Sequence, residues 1–211
     1  ALLQKPTTTA QRIVRAKRKI REANIPYEVP ERKELPQRLQ SVLKVVYLIF
    51  NEGYSSSEGN TIVNISLAGE AIRLATLLAE LLPDGEVFGL LALMLLHDSR
   101  RHARQDANGE LITLEDQNRA LWDQEQIRSG LAWLARALEL TPAAPYTLQA
   151  SIAAAHAKAA TASDTDWARI ARLYQALYQR QPSPVIALNH AVAVAMRDTP
   201  EEGLKLLDQL A

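Results

Sequence analysis

The sequence predicts an all-α protein, one basic helix followed by a tetratricopeptide-like solenoid or bundle of helical hairpins. Three observations carry that expectation. Apolar residues recur at helical spacing along nearly the whole chain, as in Leu39, Val42, Leu43, Val46, Ile49 and Phe50. Ala and Leu, both strong helix formers, fill the interiors of these segments. Prolines 83, 142, 145, 182, 184 and 200 fall between them, where proline serves as a first-turn residue or a helix stop.

Taken in order, Thr7–Ala23 reads as a helix. Pro6 stops anything upstream, Thr7 or Thr8 can cap the free N–H groups, and Ile13, Ala16 and Ile20 form a narrow apolar stripe. Asn24-Ile25-Pro26 ends it, and three prolines with several charges make an extended linker up to Pro36. After the helix around Leu39–Phe50, Asn51–Asn60 reads as a loop. Thr61–Ile65 alternates briefly but reads better as loop leading to Ser66 as a cap. Further helices are expected at about Leu67–Leu82, Glu86–Arg104, Leu114–Leu121, Asp123–Leu140, Pro145–Ala160, Asp166–Arg180, Pro184–Arg197 and Pro200–Leu210.

A repeat is also visible. A shift of 39 residues aligns Leu134 with Leu173, Leu138 with Leu177 and Pro145 with Pro184. A shift of 99 aligns Leu74 with Leu173, Leu78 with Leu177 and Ala92 with Ala191. Each unit reads as a helix, a proline-containing turn and a second helix rich in small residues, the arrangement of paired-helix solenoids. The expected organisation is therefore a basic helix over residues 1–23, a linker over 24–36 and a helical body over 37–211.

Composition excludes several function classes. The 211 residues include no cysteine, which removes disulfide frameworks and every thiolate site. The longest apolar run, Leu90–Leu96, is far short of the roughly 20 residues a membrane span requires. No signal peptide opens the chain, so no membrane association and a cytoplasmic location are the default expectations. Ala1 is not a start methionine and the helical pattern runs to Leu210, which suggests a piece of a longer protein. Lys and Arg number 24 and Asp and Glu 24, but the balance is uneven. The first 21 residues hold seven basic residues and no acid, leaving 17 basic against 24 acidic residues for the rest. A short basic head on an acidic body suggests that the head meets a polyanion.

Candidate chemistry is thin. His97-Asp98 resembles paired metal ligands and Asp98 with His102 has a workable i,i+4 spacing, but three convergent ligands cannot be assigned. A helix end with polar capping groups accounts for these residues better. His156 and His190 sit among alanines, as packed or half-exposed histidines do. Asn51-Glu52-Gly53-Tyr54 could form a binding loop or a helix C-terminus with a glycine stop. Arg119, Trp122 and Asp123 belong to the densest polar segment, which could line a pocket or a helix–helix joint. No nucleophile elbow, phosphate loop or paired-carboxylate signature occurs, so neither an enzyme nor a cofactor is expected.

The basic head carries the recognisable feature. On the helix opened by Thr7, Gln11, Arg12, Arg15, Arg18 and Lys19 lie outside the apolar stripe, where cations can contact phosphates and short polar residues can reach base edges. Thr8-Thr9-Ala10-Gln11-Arg12-Ile13-Val14-Arg15-Ala16-Lys17-Arg18-Lys19-Ile20-Arg21 resembles the end of region 4 of extracytoplasmic-function RNA polymerase sigma factors. Ile13, Lys17 and Ile20 stand there for the family's Leu, Arg and Leu. Further stretches are similar to the subgroup with a long tetratricopeptide-like C-terminal extension. They are Val45–Tyr54, Glu70–Leu74, Ala92–Arg101, Leu121-Trp122-Asp123 and Asn189–Val194.

The resemblance implies a function. An intact member binds core RNA polymerase through region 2 and reads the −35 element of promoter DNA with the recognition helix. Thr8, Thr9, Gln11, Arg12 and Arg15 occupy the reading positions, with phosphate contacts from Arg15, Arg18 and Lys19. The helical extension is expected to regulate activity through an intramolecular or protein contact, and Asn51, Glu52, Tyr54, Arg119, Trp122 and Asp123 are candidates for that surface. Region 2 and the rest of region 4 do not match within this chain. Two other readings remain, a helical adaptor unrelated to transcription and a metal-dependent hydrolase using His97 and Asp98.

Overall fold

In the computed structural model the described residues are 6–23, 31–54, 61–106 and 109–208, and among them all regular structure is helical. The helices are α1 (Pro6–Glu22), α2 (Leu35–Tyr54), α3 (Thr61–Leu81), α4 (Gly85–Asp98), α5 (Gln124–Leu140), α6 (Pro145–Lys158), α7 (Trp167–Arg180), α8 (Pro184–Arg197) and α9 (Pro200–Asp208). The chain divides into two compact units, residues 1–39 and 40–211. The central linker residues 24–30, the loop residues 55–60 and the last residues expected in the final helix lie outside the described residues.

The first unit contains α1, whose described side chains are all exposed. The helix ends at Glu22, and the N–H of the following Ala23 donates to Lys19 O at 2.9 Å.

The second unit is organised around α4. Val87, Phe88 and Leu90 through Leu96 are buried around the whole circumference of this helix. A helix apolar on every side must be covered on every side. Accordingly α3, α5 and α6 all pack against it. From α6 onward the main contacts run between consecutive helices, α6 with α7, α7 with α8 and α8 with α9. The hairpin solenoid expected from the repeat thus describes the C-terminal half, while the N-terminal half is a bundle with α4 at its hub. Pro145 and Pro184, equivalent under the 39-residue shift, both open their helices at the first turn. Leu138 and Leu177 are not equivalent in burial, because Leu138 is exposed and Leu177 lies in the core.

Small residues permit the closest crossings. A Cβ on Gly89 of α4 would fall 2.7 Å from the backbone N of Thr147, so the two helices meet backbone to backbone there. Polar groups at the same joint are satisfied. Asp84 caps α4 by accepting from the Glu86 N–H at 2.8 Å, and the Glu86 carboxylate accepts from the Tyr146 N–H at 2.9 Å. One carboxylate on α4 therefore satisfies a free first-turn donor of α6. Asp123 and Asp166 cap α5 and α7 in the same way.

Several segments differ from expectation. Arg32–Glu34 forms a 3₁₀ turn and residues 35–36 open α2 where an extended linker was expected, and residues 51–54, expected in a loop, are the last turn of α2. Residues 61–66 begin α3 rather than forming a loop. The helix expected over Glu86–Arg104 breaks after Asp98, where Ser99 Oγ donates to Leu96 O at 2.8 Å and a short turn follows. Leu114–Leu121 is mostly turn, closed by one 3₁₀ turn at Arg119–Leu121. Thr113 Oγ1 donates to Asp116 at 2.6 Å and Asn118 accepts from the Ala120 N–H at 3.0 Å. Such side-chain bonds compete with the helical ladder and win where little apolar surface is at stake.

Candidate functional site

Two features of the fold can carry function. The first is α1. Its seventeen residues contain no acid in the first turn and end on Lys19 and Arg21. Thr8, Gln11, Arg12, Arg15, Arg18 and Lys19 are exposed, and only Thr9 of the reading positions has a side chain outside the described set. Positions 8, 11, 12, 15, 18 and 19 lie three and four apart, so they share one helix face. Arg15 Nε donates to Gln11 O at 3.5 Å, and Arg18 stands 3.5 Å from Glu22 in an exposed pair. Pairs so exposed contribute little and leave the guanidinium available to phosphate.

The second is a cavity of about 460 Å³ in the second unit. Its apolar wall comprises Leu93 of α4, Ile152 and Ala153 of α6, Leu177 of α7, and Val185 and Ile186 of α8. Its polar lining includes Tyr47 of α2, His97 and Arg100 around the end of α4, His156 of α6, Tyr174 of α7 and Asn189 of α8. No Asp or Glu lines it among the described residues.

A cationic and aromatic cluster builds the polar end. Arg100 Nη2 donates to the Tyr54 hydroxyl at 3.1 Å and lies 3.2 Å from His97 Nδ1. An arginine can only donate, so Nδ1 accepts and His97 carries its proton on Nε2. Arg104 stacks 3.7 Å over the Tyr54 ring and donates to the Tyr54 carbonyl. Trp122 is buried beneath two guanidinium groups, Arg119 at 4.5 Å and Arg100 at 5.8 Å. Arg119 also reaches across to the end of α6, donating to His156 O at 2.7 Å and Ala159 O at 3.0 Å, at the negative end of the helix dipole.

The titratable groups follow from this packing. Burial, reinforced by Arg100 and Arg104, lowers His97 to about 3. Burial, with Arg100 and Arg119 nearby, lowers His156 to about 4. Both imidazoles are therefore neutral near pH 7. Tyr47 and Tyr174 are pushed up by burial and remain hydroxyl donors, Tyr47 while hydrogen-bonded to Asn51. Among the described residues, Arg100, Arg104 and Arg119 form no ion pair with a carboxylate, whereas neighbouring Arg101 pairs with Asp98.

The structure therefore gathers some of the residues singled out in the sequence and separates others. Tyr54, Arg119 and Trp122 join one cluster through Arg100. Asn51 holds Tyr47 at the cavity. Glu52 is exposed, and Asp123 is occupied as the α5 cap, with its N–H donating to Ser99 O at 2.8 Å. His97 and Asp98 diverge to different partners, since Asp98 accepts from Arg101 and from Gln126 Nε2 at 2.9 Å. Arg100, Arg104, Tyr47 and Tyr174 were not candidates in the sequence. Arg100 and Arg104 flank the short 3₁₀ turn after α4, and their alternation with Arg101 and His102 looks like a plain basic helix end.

One comparison falls mainly on the second unit and another spans the whole chain. Residues 38–138 match the model of a family described as a family of unknown function, DUF6596. The whole chain is 46% identical to a protein of Rhizobium meliloti (strain 1021) recorded as uncharacterized. The chain spans 50% of that relative's length. No solved structure matches.

Proposed function

We propose that the chain is part of a bacterial transcription-initiation factor of the extracytoplasmic-function sigma type. In this reading α1 is the helix that reads promoter DNA, and the helical body is a regulatory extension. The observation that carries the reading is the α1 face formed by Thr8, Gln11, Arg12, Arg15, Arg18 and Lys19, exposed and without an acid before Glu22. Short polar groups stand near the helix N-terminus and long cations follow, the order in which a recognition helix meets base edges and then phosphates. Val14 and Ile20 are 66% and 59% exposed, as expected of a helix whose own packing partners belong to another part of the protein. The body, acidic and helical, supplies protein-contact surface rather than DNA contacts.

The test is promoter binding by the full-length protein together with core polymerase. Arg12→Ala is expected to weaken and relax recognition of the −35 element, costing about 1–3 kcal/mol. Unchanged sequence preference in that variant would remove α1 from promoter reading.

A further inference from the structure

The cavity in the helical body has no part in the reading above, and its lining is that of a ligand site. Its volume of about 460 Å³ lies in the range of small-molecule pockets, roughly 300–1,000 Å³. One side is continuous aliphatic surface from four helices, contributed by Leu93, Ile152, Ala153, Leu177, Val185 and Ile186. The other side ends in Arg100, flanked by neutral hydrogen-bonding groups.

Arg100 decides what charge such a ligand carries. Its hydrogen bonds to Tyr54 and His97 both leave from Nη2, which leaves Nε and Nη1 without a protein acceptor among the described residues. A carboxylate can accept from either of these donors in a charge-assisted hydrogen bond, which is stronger than one between neutral groups. A partly buried cation with no carboxylate partner is costly, and an anion supplied from outside removes that cost. Nearby Arg104 and Arg119 add positive potential, and no acid of the lining opposes it. The aliphatic wall sets the remainder of the ligand as apolar, and its single flanking cation sets one anionic head.

We propose that this cavity binds a small organic acid, an aromatic or aliphatic body bearing one carboxylate. The carboxylate pairs with Arg100, and the body lies against the α6, α7 and α8 wall. Because α8 contributes one wall and α4 with its following turn the other, occupancy couples the C-terminal hairpins to the hub of the bundle. The proposal is independent of promoter recognition and is tested without it.

Isothermal titration of the full chain with naphthylacetate and with decanoate measures the interaction directly, with uncharged naphthylacetamide as the control. The expected result is a Kd tighter than about 1 mM for at least one acid, at least about tenfold tighter than for the amide where naphthylacetate binds. Arg100→Met keeps the aliphatic stem and is expected to weaken acid binding by at least about tenfold while leaving amide binding within about twofold. Arg101→Met, which removes a cation already paired with Asp98, is expected to change neither. Val185→Trp, at a half-exposed wall position, is expected to abolish binding of both by filling the cavity, with circular dichroism confirming the fold of each variant. Binding of neither acid, equal affinity for naphthylacetate and its amide, or full acid binding by a folded Arg100→Met protein would each overturn the proposal.

Discussion

At the scale of single residues, the two most informative positions are glycines in opposite surroundings. Gly89 lies where a Cβ would meet the backbone of Tyr146 and Thr147 at 2.9 and 2.7 Å, so Gly89→Ala must push α4 from α6. A loss of about 2–3 kcal/mol in unfolding free energy is expected, measurable by urea denaturation. Gly69, at an exposed position of α3, has nothing within 4 Å, and Gly69→Ala there is expected to gain about 0.5–1 kcal/mol from helix propensity alone. Similar effects of the two substitutions would contradict the backbone contact.

His97 and His156 make a second residue-scale prediction. Their folded pKa values, about 3 and about 4, lie below the ordinary histidine value of about 6.5, so the unfolded state binds more protons over that interval. Their contribution is fully present above pH 6.5 and is lost as pH falls toward 4. Each proton taken up on unfolding steepens the stability curve by up to about 1.4 kcal/mol per pH unit. Replacing His156 with Gln is expected to flatten the curve between pH 6.5 and 4.5. An unchanged slope would mean that His156 titrates normally in the folded protein.

At the scale of elements, α6 depends on a carboxylate it does not own. Glu86 accepts from the Tyr146 N–H, and burial holds its pKa up despite that bond. Glu86→Ala leaves a first-turn donor of α6 without its acceptor and is expected to cost about 1–2 kcal/mol, whereas Glu86→Gln, which keeps an acceptor, costs less. Equal losses would assign the effect to charge instead of the hydrogen bond.

Helix existence was legible in the sequence wherever period and punctuation agreed. Asp123, Asp166, Pro145 and Pro184 mark four helix starts at or within a residue of their positions in the fold. The reading failed at 114–121, expected as a helix, where Thr113, Asp116 and Asn118 bind the backbone and each other. It also failed to foresee the cavity. Arg119 and Trp122 stood out by composition, but Arg100 acquires its meaning from Tyr54, 46 residues away, and Tyr47 from its neighbours across the cavity. Local periodicity holds no record of such contacts.

At the scale of the whole molecule, the second unit combines a bundle around α4 with a stack of hairpins, and its cavity lies where the two arrangements meet. No helix among the described residues is long and apolar enough to cross a membrane. The basic first unit and the acidic second one divide the work in the proposed reading, DNA contact by α1 and regulation by the body. Run-off transcription with core polymerase and the full-length protein tests that central claim most directly. The comparison is with Arg12→Ala/Arg15→Ala and with a version ending near Pro36. The account predicts a specific transcript from the full-length protein, its loss with the double arginine variant, and an altered level when the body is removed. Absence of any specific transcript from the full-length protein, with a control sigma factor active on the same polymerase, would contradict it.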